Sequence, residues 1–336
     1  MLLAESRTLT KIDTLDVGLP DDLFLSAVSF EARCRAGVER MSDSYEVKNA
    51  VLIRFKKADQ GSREQHYQEM SSRLVWRTTS QRIPDVLWCD KDDALDGDFK
   101  LQEYLRRLSP APTRVTVDVT TLTKQYLLVL LRTLRTHLPN ATFRVLYTPA
   151  SYSFSHGRSR MSYGVKYVTP VPFYAGIQHP EKRDLLLLFL GYEGERAVRL
   201  WRSVEAERTI AVISYPALRP GGHLPAINNN KTLLEMDPSI VEQRKVPAAS
   251  PEQTIALLEE IHKAYPDWNI MISSLGPKVQ TIGIYLFFEH NAHCSSQVLY
   301  APAASYDEKH YTLASERYTL EYRLLPKSTP SPPADT

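Results

Sequence analysis

The sequence predicts a protein of the α/β class, built as two successive units that each contain a mostly parallel sheet. Short runs rich in Val, Leu and Ile alternate with helical segments of about 10 to 15 residues, which is the pattern of strand–helix–strand crossovers. The chain has 336 residues, the length of about two average domains. Its two halves also resemble each other in the order of their segments.

The first half alternates strands and helices up to residue 150. We predict strands over 23–30, 49–57, 85–90, 114–119 and 142–150, and helices over 32–43, 62–78, 99–109 and 124–138. Each predicted strand is a largely continuous apolar run, as expected of a sheet that is covered on both faces. Ser62 is expected to cap the second helix. The Ser-, Tyr-, Gly- and Pro-rich stretch 151–183 breaks the rhythm, and we expect an excursion from the first sheet followed by a linker.

The second half repeats the alternation. We predict strands over 184–192, 209–216, 269–276 and 296–303, and helices over 194–205, 254–265 and 279–290. Ser250 and Pro251 have the residue types of an N-cap and a first helical residue. The expected domains are a lead-in over 1–20, a first domain over 21–175, a second over 176–325, and a disordered Pro/Ser-rich tail over 326–336.

The composition is that of a cytoplasmic globular protein. Hydrophobic residues make up 43% and charged residues 24% of the chain, and the net charge is +2, which gives no argument for a nucleic-acid coat or a membrane surface. The three cysteines form no CxxC pair, which fits a reducing compartment. We see no signal peptide, and the longest apolar runs are too short to span a bilayer, so no membrane partner is expected.

An internal repeat links the two halves. Residues 24–41 resemble 188–204, residues 118–132 resemble 271–287, and residues 143–152 resemble 296–306. The last pair contains VLYTPA and VLYAPA, which are nearly identical. Three matches in the same order predict a duplicated domain, and each half is therefore expected to be a Rossmann-like unit.

Polar residues gather at one strand–helix joint of the first half. In VDVTTLTK, a predicted strand ends at Asp118 and a predicted helix begins at Lys124, with Thr120, Thr121 and Thr123 between them. Ligands of open parallel sheets collect at the carboxyl ends of the strands. A helix N-terminus there offers unsatisfied N–H groups and a partial positive charge. This joint is therefore predicted to bind an anion, and phosphate suits it.

The corresponding joint of the second half is similar but not identical. Ser273, Ser274 and Lys278 keep two hydroxyls and the lysine, whereas Met271 replaces the aspartate. Each half also carries an aromatic residue, a carboxylate and an arginine after its first strand. These further candidate ligand-binding residues are Ser29, Phe30, Glu31 and Arg33 in the first half and Tyr192, Glu193 and Arg196 in the second. If the strands are neighbours, an aromatic ring could stack on a base and an arginine could bind a phosphate.

Structural alternatives exist for each of these residues. Hydroxyls at such joints are most often N-caps, the lysines could be solvated, and Glu31 with Arg33 could be an ordinary surface pair. His290 and His293 lack an acidic partner motif, so no metal is expected. Cys34 has no histidine placed to activate it, so we expect an ordinary buried cysteine. The sequence contains no GxGxxG or P-loop motif, so we expect no cofactor. No catalytic residue is evident.

The segment DVTTLTK also carries a family resemblance. A strand-end aspartate followed by hydroxyl residues and a helix-opening lysine resembles the ligand-binding segment of CRISPR-associated Rossmann fold (CARF) domains. The resemblance implies a tandem pair of such domains and a cyclic oligonucleotide held across the pair. The contacts it implies are Ser29, Thr121, Thr123 and Lys124 in the first half and Ser274 and Lys278 in the second.

Three functions fit these observations. The first is a nucleotide sensor of an antiviral defence system that signals to a separate protein partner carrying the effector. The second is an enzyme that cleaves its own ligand without a metal, with Lys124 or Lys278 stabilising charge. The third is a structural adaptor in a multi-protein complex. Whether the chain is an enzyme and whether it forms homo-oligomers stay open at this point.

Overall fold

The computed structural model describes residues 9–16, 19–56, 61–151, 162–291, 294–306, 308, 314–315 and 318–327. The strands are β1 Thr10–Ile12, β2 Asp21–Ala27, β3 Val47–Phe55, β4 Asp85–Cys89, β5 Arg114–Asp118, β6 Thr142–Tyr147, β7 Ala150–Ser151, β8 Ser162–Tyr163, β9 Thr169–Pro170, β10 Arg183–Phe189, β11 Arg208–Ser214, β12 Val241–Val246, β13 Trp268–Ser274, β14 Gln297–Tyr300, β15 Ser305–Tyr306, β16 Ala314–Ser315 and β17 Thr319–Leu324. The helices are α1 Ala36–Glu39, preceded by a 3₁₀ turn over Ala32–Arg35, α2 Gly61–Arg77, α3 Ala94–Arg107, α4 Lys124–His137, α5 Gly194–Val204, α6 His223–Asn229, α7 Lys231–Leu234, α8 Pro251–Ala264 and α9 Lys278–His290.

The chain forms two compact units. The first unit comprises Met1–Thr121, Arg132–Thr148 and Arg317–Thr336, and the second comprises Leu122–Leu131 and Pro149–Glu316. Each unit contains one large sheet. Two-stranded pairs of β7 with β16 and of β8 with β15 belong to the second unit.

The sheet of the first unit has seven strands in the order β1-β17-β6-β5-β2-β3-β4. The strands β2 to β6 are parallel, whereas β17 runs antiparallel to β6. Their apolar runs are buried, as in β2, where all seven residues are buried. Phe24 and Leu52 of the sheet and Leu74 of α2 belong to one core cluster, so α2 packs its apolar face against this sheet.

The sheet of the second unit repeats this topology with six strands in the order β12-β11-β10-β13-β14-β9. Its five parallel strands have the same chain order as β4-β3-β2-β5-β6, and an antiparallel strand again follows the fifth. The prediction of an α/β fold with two duplicated Rossmann-like units is therefore confirmed.

The antiparallel strands correct the expected domain boundaries. The range 176–325, expected to form the second domain, contains β17, which pairs with the first sheet through β6. The stretch 151–183, expected as an excursion from the first sheet, contains β9, which pairs with β14 of the second. These strands are short or alternate in polarity, so long-range pairing rather than local sequence decides which sheet they join.

Some local predictions are confirmed and others are wrong. Ser250 caps α8 by accepting a hydrogen bond from the Gln253 N–H at 3.1 Å, and Pro251 is the first helical residue. Ser62 lies inside α2 rather than before it, because the helix begins at Gly61. Strand β12 was not predicted, because VEQRKV has no apolar run. The strand lies at a sheet edge, and its middle residues alternate between half-buried and exposed.

Two further expectations concern the ends of the chain and its hydrophobic helices. Most of the tail predicted to be disordered, residues 328–336, lies outside the described residues. Within the part of the chain that is described, no helix has the length and hydrophobicity needed to cross a membrane.

Candidate anion-binding site

The strand neighbours required by the sequence analysis are present in both sheets. Strand β2 pairs in parallel with β5, and β10 pairs in parallel with β13, with Phe189 opposite Ser274. The loops after β2 and β10, which the sequence analysis counted as the first strand of each half, therefore lie beside the Ser/Thr/Lys joint of their sheet. Both lie at the carboxyl edge of the sheet. This is the edge at which ligands of parallel sheets bind.

A buried ion pair between Glu31 and Arg33, here called the Glu–Arg brace, connects two loops at this edge of the first unit. The Arg33 Nη2 lies 2.5 Å from the Glu31 Oε2, and its Nη1 donates to the Thr148 carbonyl at 2.8 Å. The two side chains are 5% and 8% exposed, so the alternative of an ordinary surface pair is wrong. Because the guanidinium already binds a carboxylate and a carbonyl, it holds the end of β2 to the end of β6.

The second unit contains the same brace. The Arg196 Nη1 lies 2.7 Å from the Glu193 Oε2, and its Nη2 donates to the Ala301 carbonyl at 2.7 Å. Thr148 and Ala301 are the variable residues of VLYTPA and VLYAPA. The duplicated motif therefore supplies, in both units, the carbonyl that accepts from an arginine after the first strand.

The hydroxyls of the first joint bind mainly to the backbone. The Thr120 Oγ1 accepts from the Thr148 N–H at 2.9 Å, and the Thr121 hydroxyl donates to the Ala27 carbonyl at 2.9 Å. The Thr123 Oγ1 accepts from the Tyr126 N–H at 3.3 Å, as an N-cap does. These residues thus order the joint, and direct contact of their hydroxyls with a ligand stays a prediction.

The joint of the second unit is built in the same way. The Ser273 hydroxyl donates to the Leu299 carbonyl at 3.0 Å, and the Ser274 Oγ accepts from the Thr281 hydroxyl at 3.3 Å. Ser273 is buried and Ser274 half-buried. Of this pair, Ser274 is therefore the more accessible to a ligand.

Asp118 ends β5 as a fully buried carboxyl group. Burial raises its pKa to about 6, although hydrogen bonds from Thr120 and the charge of Arg33 act in the opposite direction. A Cβ added at Gly37 would lie 2.3 Å from the Asp118 Oδ2. Because glycine has no Cβ, it leaves room for the carboxyl group. Its burial places Asp118 beneath the joint rather than on its surface.

Lys124 lies close enough to Lys278 and Arg196 for their positive charges to act on it. Lys124 is the first residue of α4 and Lys278 the first residue of α9, and both are half-buried. Burial lowers the pKa of Lys124 well below its ordinary value, and the positive charges of Lys278 and Arg196 lower it further. Glu193 is the opposing negative charge, and its oxygens already bind Arg196 and Ser162. Among the described residues, the Lys124 side chain has no hydrogen bond or ion pair.

Tyrosines border the cationic cluster, which we define as Lys124, Lys278 and Arg196. Burial raises the pKa of Tyr300, the tyrosine of VLYAPA, and the nearby Tyr306 raises it further. A hydrogen bond with Thr123 and the charge of Arg196 lower the pKa, which places the Tyr300 hydroxyl beside the site. The candidate site residues did not include Tyr300 or Tyr306, although the position of Tyr300 at the end of the last parallel strand of the repeat, and of Tyr306 shortly after it, is a usable signal.

The remaining candidate residues lie in the first-strand loops. The Ser29 carbonyl accepts from the His66 Nδ1 at 2.8 Å, and the Phe30 ring lies 5.1 Å from the Arg63 guanidinium. The Tyr192 carbonyl accepts from the Asn229 amide at 2.6 Å. Ser29, Phe30 and Tyr192 are half-buried, so their side chains stay partly accessible.

In the described part of the chain, no group of three or more His, Cys, Asp or Glu residues could hold a metal ion. The side chains at the carboxyl edges of the two sheets include ammonium, guanidinium and hydroxyl groups beside the starts of α4 and α9, a phenol at the end of β14, and carboxyl groups. Of these, the ammonium and guanidinium groups attract and orient anions, as the helix N-termini do.

Comparisons with known proteins find matches among solved structures. No family model and no curated protein matches the chain. A type III CRISPR defence DNA nuclease activated by cyclic oligoadenylate matches 80% of this chain at 8% identity, with a TM-score of 0.45. The match spans 64% of that nuclease chain, less than two thirds of its length.

A UDP-GlcNAc 2-epimerase from Neisseria meningitidis, bound to UDP-GlcNAc, matches 76% of this chain and 77% of its own at 10% identity. Its TM-score is 0.23. At these TM-scores neither structure carries an argument about function, and the function of this chain has to be inferred from its own residues.

Proposed function

We propose that the chain is a nucleotide-sensing module of a prokaryotic antiviral defence system, which signals to a separate protein partner. Its ligand contains phosphate, and the resemblance of DVTTLTK to CARF segments favours a cyclic oligonucleotide. The phosphate binds at the cationic cluster. The observation that carries the proposal is the convergence of Lys124, Lys278 and Arg196 at two helix N-termini, with Lys124 unpaired among the described residues.

The electrostatics of the cluster favour an anion. Burial is the main cause of the lowered pKa of Lys124, and repulsion from the like charges of Lys278 and Arg196 adds to it. A phosphate between the ammonium groups would remove this repulsion and would raise the pKa of Lys124 again. The N–H groups at the start of α4 and α9 add partial positive charge at the same point.

The surrounding side chains fit the rest of a nucleotide. Tyr300 and Tyr306 offer aromatic rings beside the cations, and such rings stack on bases of any identity. Tyr192 lies in the loop after β10 of the same unit and adds further aromatic surface. Hydroxyls of Thr123 and Ser274 are close enough to the helix starts to contact ribose or phosphate oxygens.

Thermal denaturation with a ligand panel tests this function. The panel contains inorganic phosphate, linear mononucleotides, cyclic dinucleotides and cyclic tri- and tetra-adenylates. We expect at least one nucleotide to raise the Tm, because a ligand at about 100 times its Kd stabilises the folded state by about 2.7 kcal/mol. Lys124→Met and Lys278→Met should each remove most of this shift while leaving the unliganded protein folded.

Lys231→Met is the matched control. Lys231 is also the first residue of a helix, α7, but it is exposed and pairs with Glu235 at 3.3 Å. The control variant should keep the full shift. If no nucleotide changes the Tm, or if the Lys124 and Lys278 variants respond like wild type, the adaptor hypothesis replaces the sensor.

A second candidate function is a metal-independent phosphodiesterase that cleaves the bound ligand. The lowered pKa of Lys124 favours it, because an uncharged amine can accept a proton. In this reaction a ribose 2′-hydroxyl attacks the adjacent phosphorus and Lys124 takes its proton. The 5′-oxygen leaves and is protonated by water, and a 2′,3′-cyclic phosphate forms. Sensor and enzyme differ in the fate of the ligand.

A further inference from the structure

A cysteine–histidine pair lies in the second unit, away from the cationic cluster. The Cys294 Sγ is 3.2 Å from the His262 Nε2, and the Ser296 Oγ is 2.5 Å from the same nitrogen. His262 lies in the last turn of α8, and Ser296 comes directly before β14. The pair is therefore at the amino edge of the sheet, opposite to the carboxyl edge where Lys278 lies.

We propose that Cys294 is a nucleophilic thiol, activated by His262, that forms mixed disulfides with low-molecular-weight disulfides. The thiolate is the reactive form of cysteine, and a neighbouring imidazole promotes it by taking the proton. The half-exposed Cys294 is open to small reagents. Nothing in the proposed nucleotide function uses this pair.

The hydrogen bonds set the tautomer that this role requires. The His262 Nδ1 lies 2.7 Å from the Leu258 carbonyl, and because a carbonyl only accepts, this nitrogen carries the hydrogen. The neutral ring then presents a bare Nε2 to the thiol and to the Ser296 hydroxyl. After proton transfer the Nε2–H donates to the thiolate, and the Ser296 hydroxyl is placed to donate to it as well.

The surroundings support the charged pair. Hydrogen bonds from His262 and Ser296 lower the pKa of Cys294 although burial opposes them, and hydrogen bonds with Cys294 and Leu258 raise the pKa of His262 although burial opposes them. The Phe287 ring packs against the imidazole, with ring centroids 4.7 Å apart and planes inclined at 38°. Among the described residues, the titratable group that acts on His262 is Cys294 itself.

The other two cysteines serve as internal controls. Cys34 and Cys89 are 1% and 0% exposed. Burial raises the pKa of Cys34 to about 12, so this thiol stays protonated at neutral pH. Neither should compete with Cys294 for a reagent while the protein is folded.

The reaction balances without any further reagent. The Cys294 thiolate attacks one sulfur of R–S–S–R, a new sulfur–sulfur bond forms, and the old one breaks. Cys294 is oxidised to the mixed disulfide, and the departing R–S⁻ is the reduced half. It takes up the proton that His262 accepted from the thiol, or leaves as a thiolate if its own pKa is low.

The test measures thiopyridone release from excess 4,4′-dithiodipyridine by the native protein between about pH 5 and pH 10. We expect one fast equivalent per chain, which mass spectrometry places on Cys294 and which Cys294→Ser removes. The rate should rise with a midpoint below that of a free thiol, about 8.5. His262→Gln should slow the reaction at pH 7 by about tenfold or more, because each pKa unit is a tenfold change in thiolate.

Circular dichroism checks that the His262 variant is folded, and the pH profile of the wild type tests the proposal without any variant. A wild-type midpoint equal to that of a free thiol would overturn the proposal. So would faster labelling of Cys34 or Cys89, or a folded His262→Gln protein that reacts at the wild-type rate.

Discussion

Asp118 and Lys124 show how one strand–helix joint perturbs two ionisable groups in opposite directions. The carboxyl group is fully buried and its pKa is raised to about 6, whereas the ammonium is half-buried and its pKa is lowered. In both cases burial disfavours the charged form. Perturbed groups of this kind concentrate at functional sites, because a ligand can restore the charge that the fold disfavours.

The raised pKa of Asp118 predicts a pH-dependent stability. A carboxyl group with a folded pKa of about 6 and an unfolded value near 3.8 favours the folded state fully below pH 3.8. This contribution is lost as the pH rises through 6. Relative to Asp118→Asn, which cannot titrate, the wild type should therefore lose up to about 3 kcal/mol between pH 4 and pH 7.5.

Urea unfolding of both proteins at the two pH values measures this difference. The comparison cancels any constant effect of the amide on packing. A difference between the two proteins that stays constant with pH, or that grows in favour of the wild type, would contradict the burial of an ionisable carboxyl group at this position.

At the scale of elements, each sheet is completed by an antiparallel strand and each carboxyl edge by a Glu–Arg brace. Strand β17 pairs with both β6 and β1, and its Leu320, Tyr322 and Leu324 are buried. The first sheet therefore depends on a segment near the end of the sequence. Strand β17 should therefore contribute strongly to the free energy of unfolding, since fully burying one such side chain contributes about 1.5 to 3 kcal/mol.

Removing β17 tests this dependence. A chain ending at Glu316 should lose about 5 kcal/mol or more of stability in the first unit, which is comparable to the total stability of a small domain. Hydrogen exchange read by mass spectrometry should show lost protection in β6. A chain ending at Lys327 is the control and should keep it. Unchanged protection of β6 in the shorter chain would show that β17 is dispensable.

Across the whole molecule, the two units resemble each other more closely in their strand order than in the residues of their strand–helix joints. Both units keep the strand order, the brace and the VLYxPA carbonyl. Met271 replaces the aspartate of the first joint, however, and the cationic cluster is found in the second unit. Such divergence is typical of a duplicated fold in which the two copies have taken different roles.

The fate of the ligand decides between sensor and enzyme. We expect a nucleotide that raises the Tm to be recovered intact after prolonged incubation with the protein, as chromatography and mass spectrometry would show. Conversion to a product ending in a 2′,3′-cyclic phosphate would instead establish the phosphodiesterase. In that case Lys124→Met should abolish conversion, whereas Lys231→Met should leave its rate unchanged.

The local elements, the duplication and the edge at which the polar residues lie can be predicted from the amino-acid sequence. The strands β2, β3, β5, β10 and β13 and the cap at Ser250 are readable because burial and capping leave a periodic or positional signal within a few residues. The two copies of VLYxPA, read together, indicate one architecture used twice.

Contacts between residues far apart in the chain become visible only in the folded protein. Local sequence patterns do not predict the pairing of β17 with β6, the approach of Lys124 to Lys278, or the contact between Cys294 and His262. Each depends on packing between segments far apart in the chain. The pKa shifts of these groups follow from that packing, because desolvation and neighbouring charge exist only once the chain has folded.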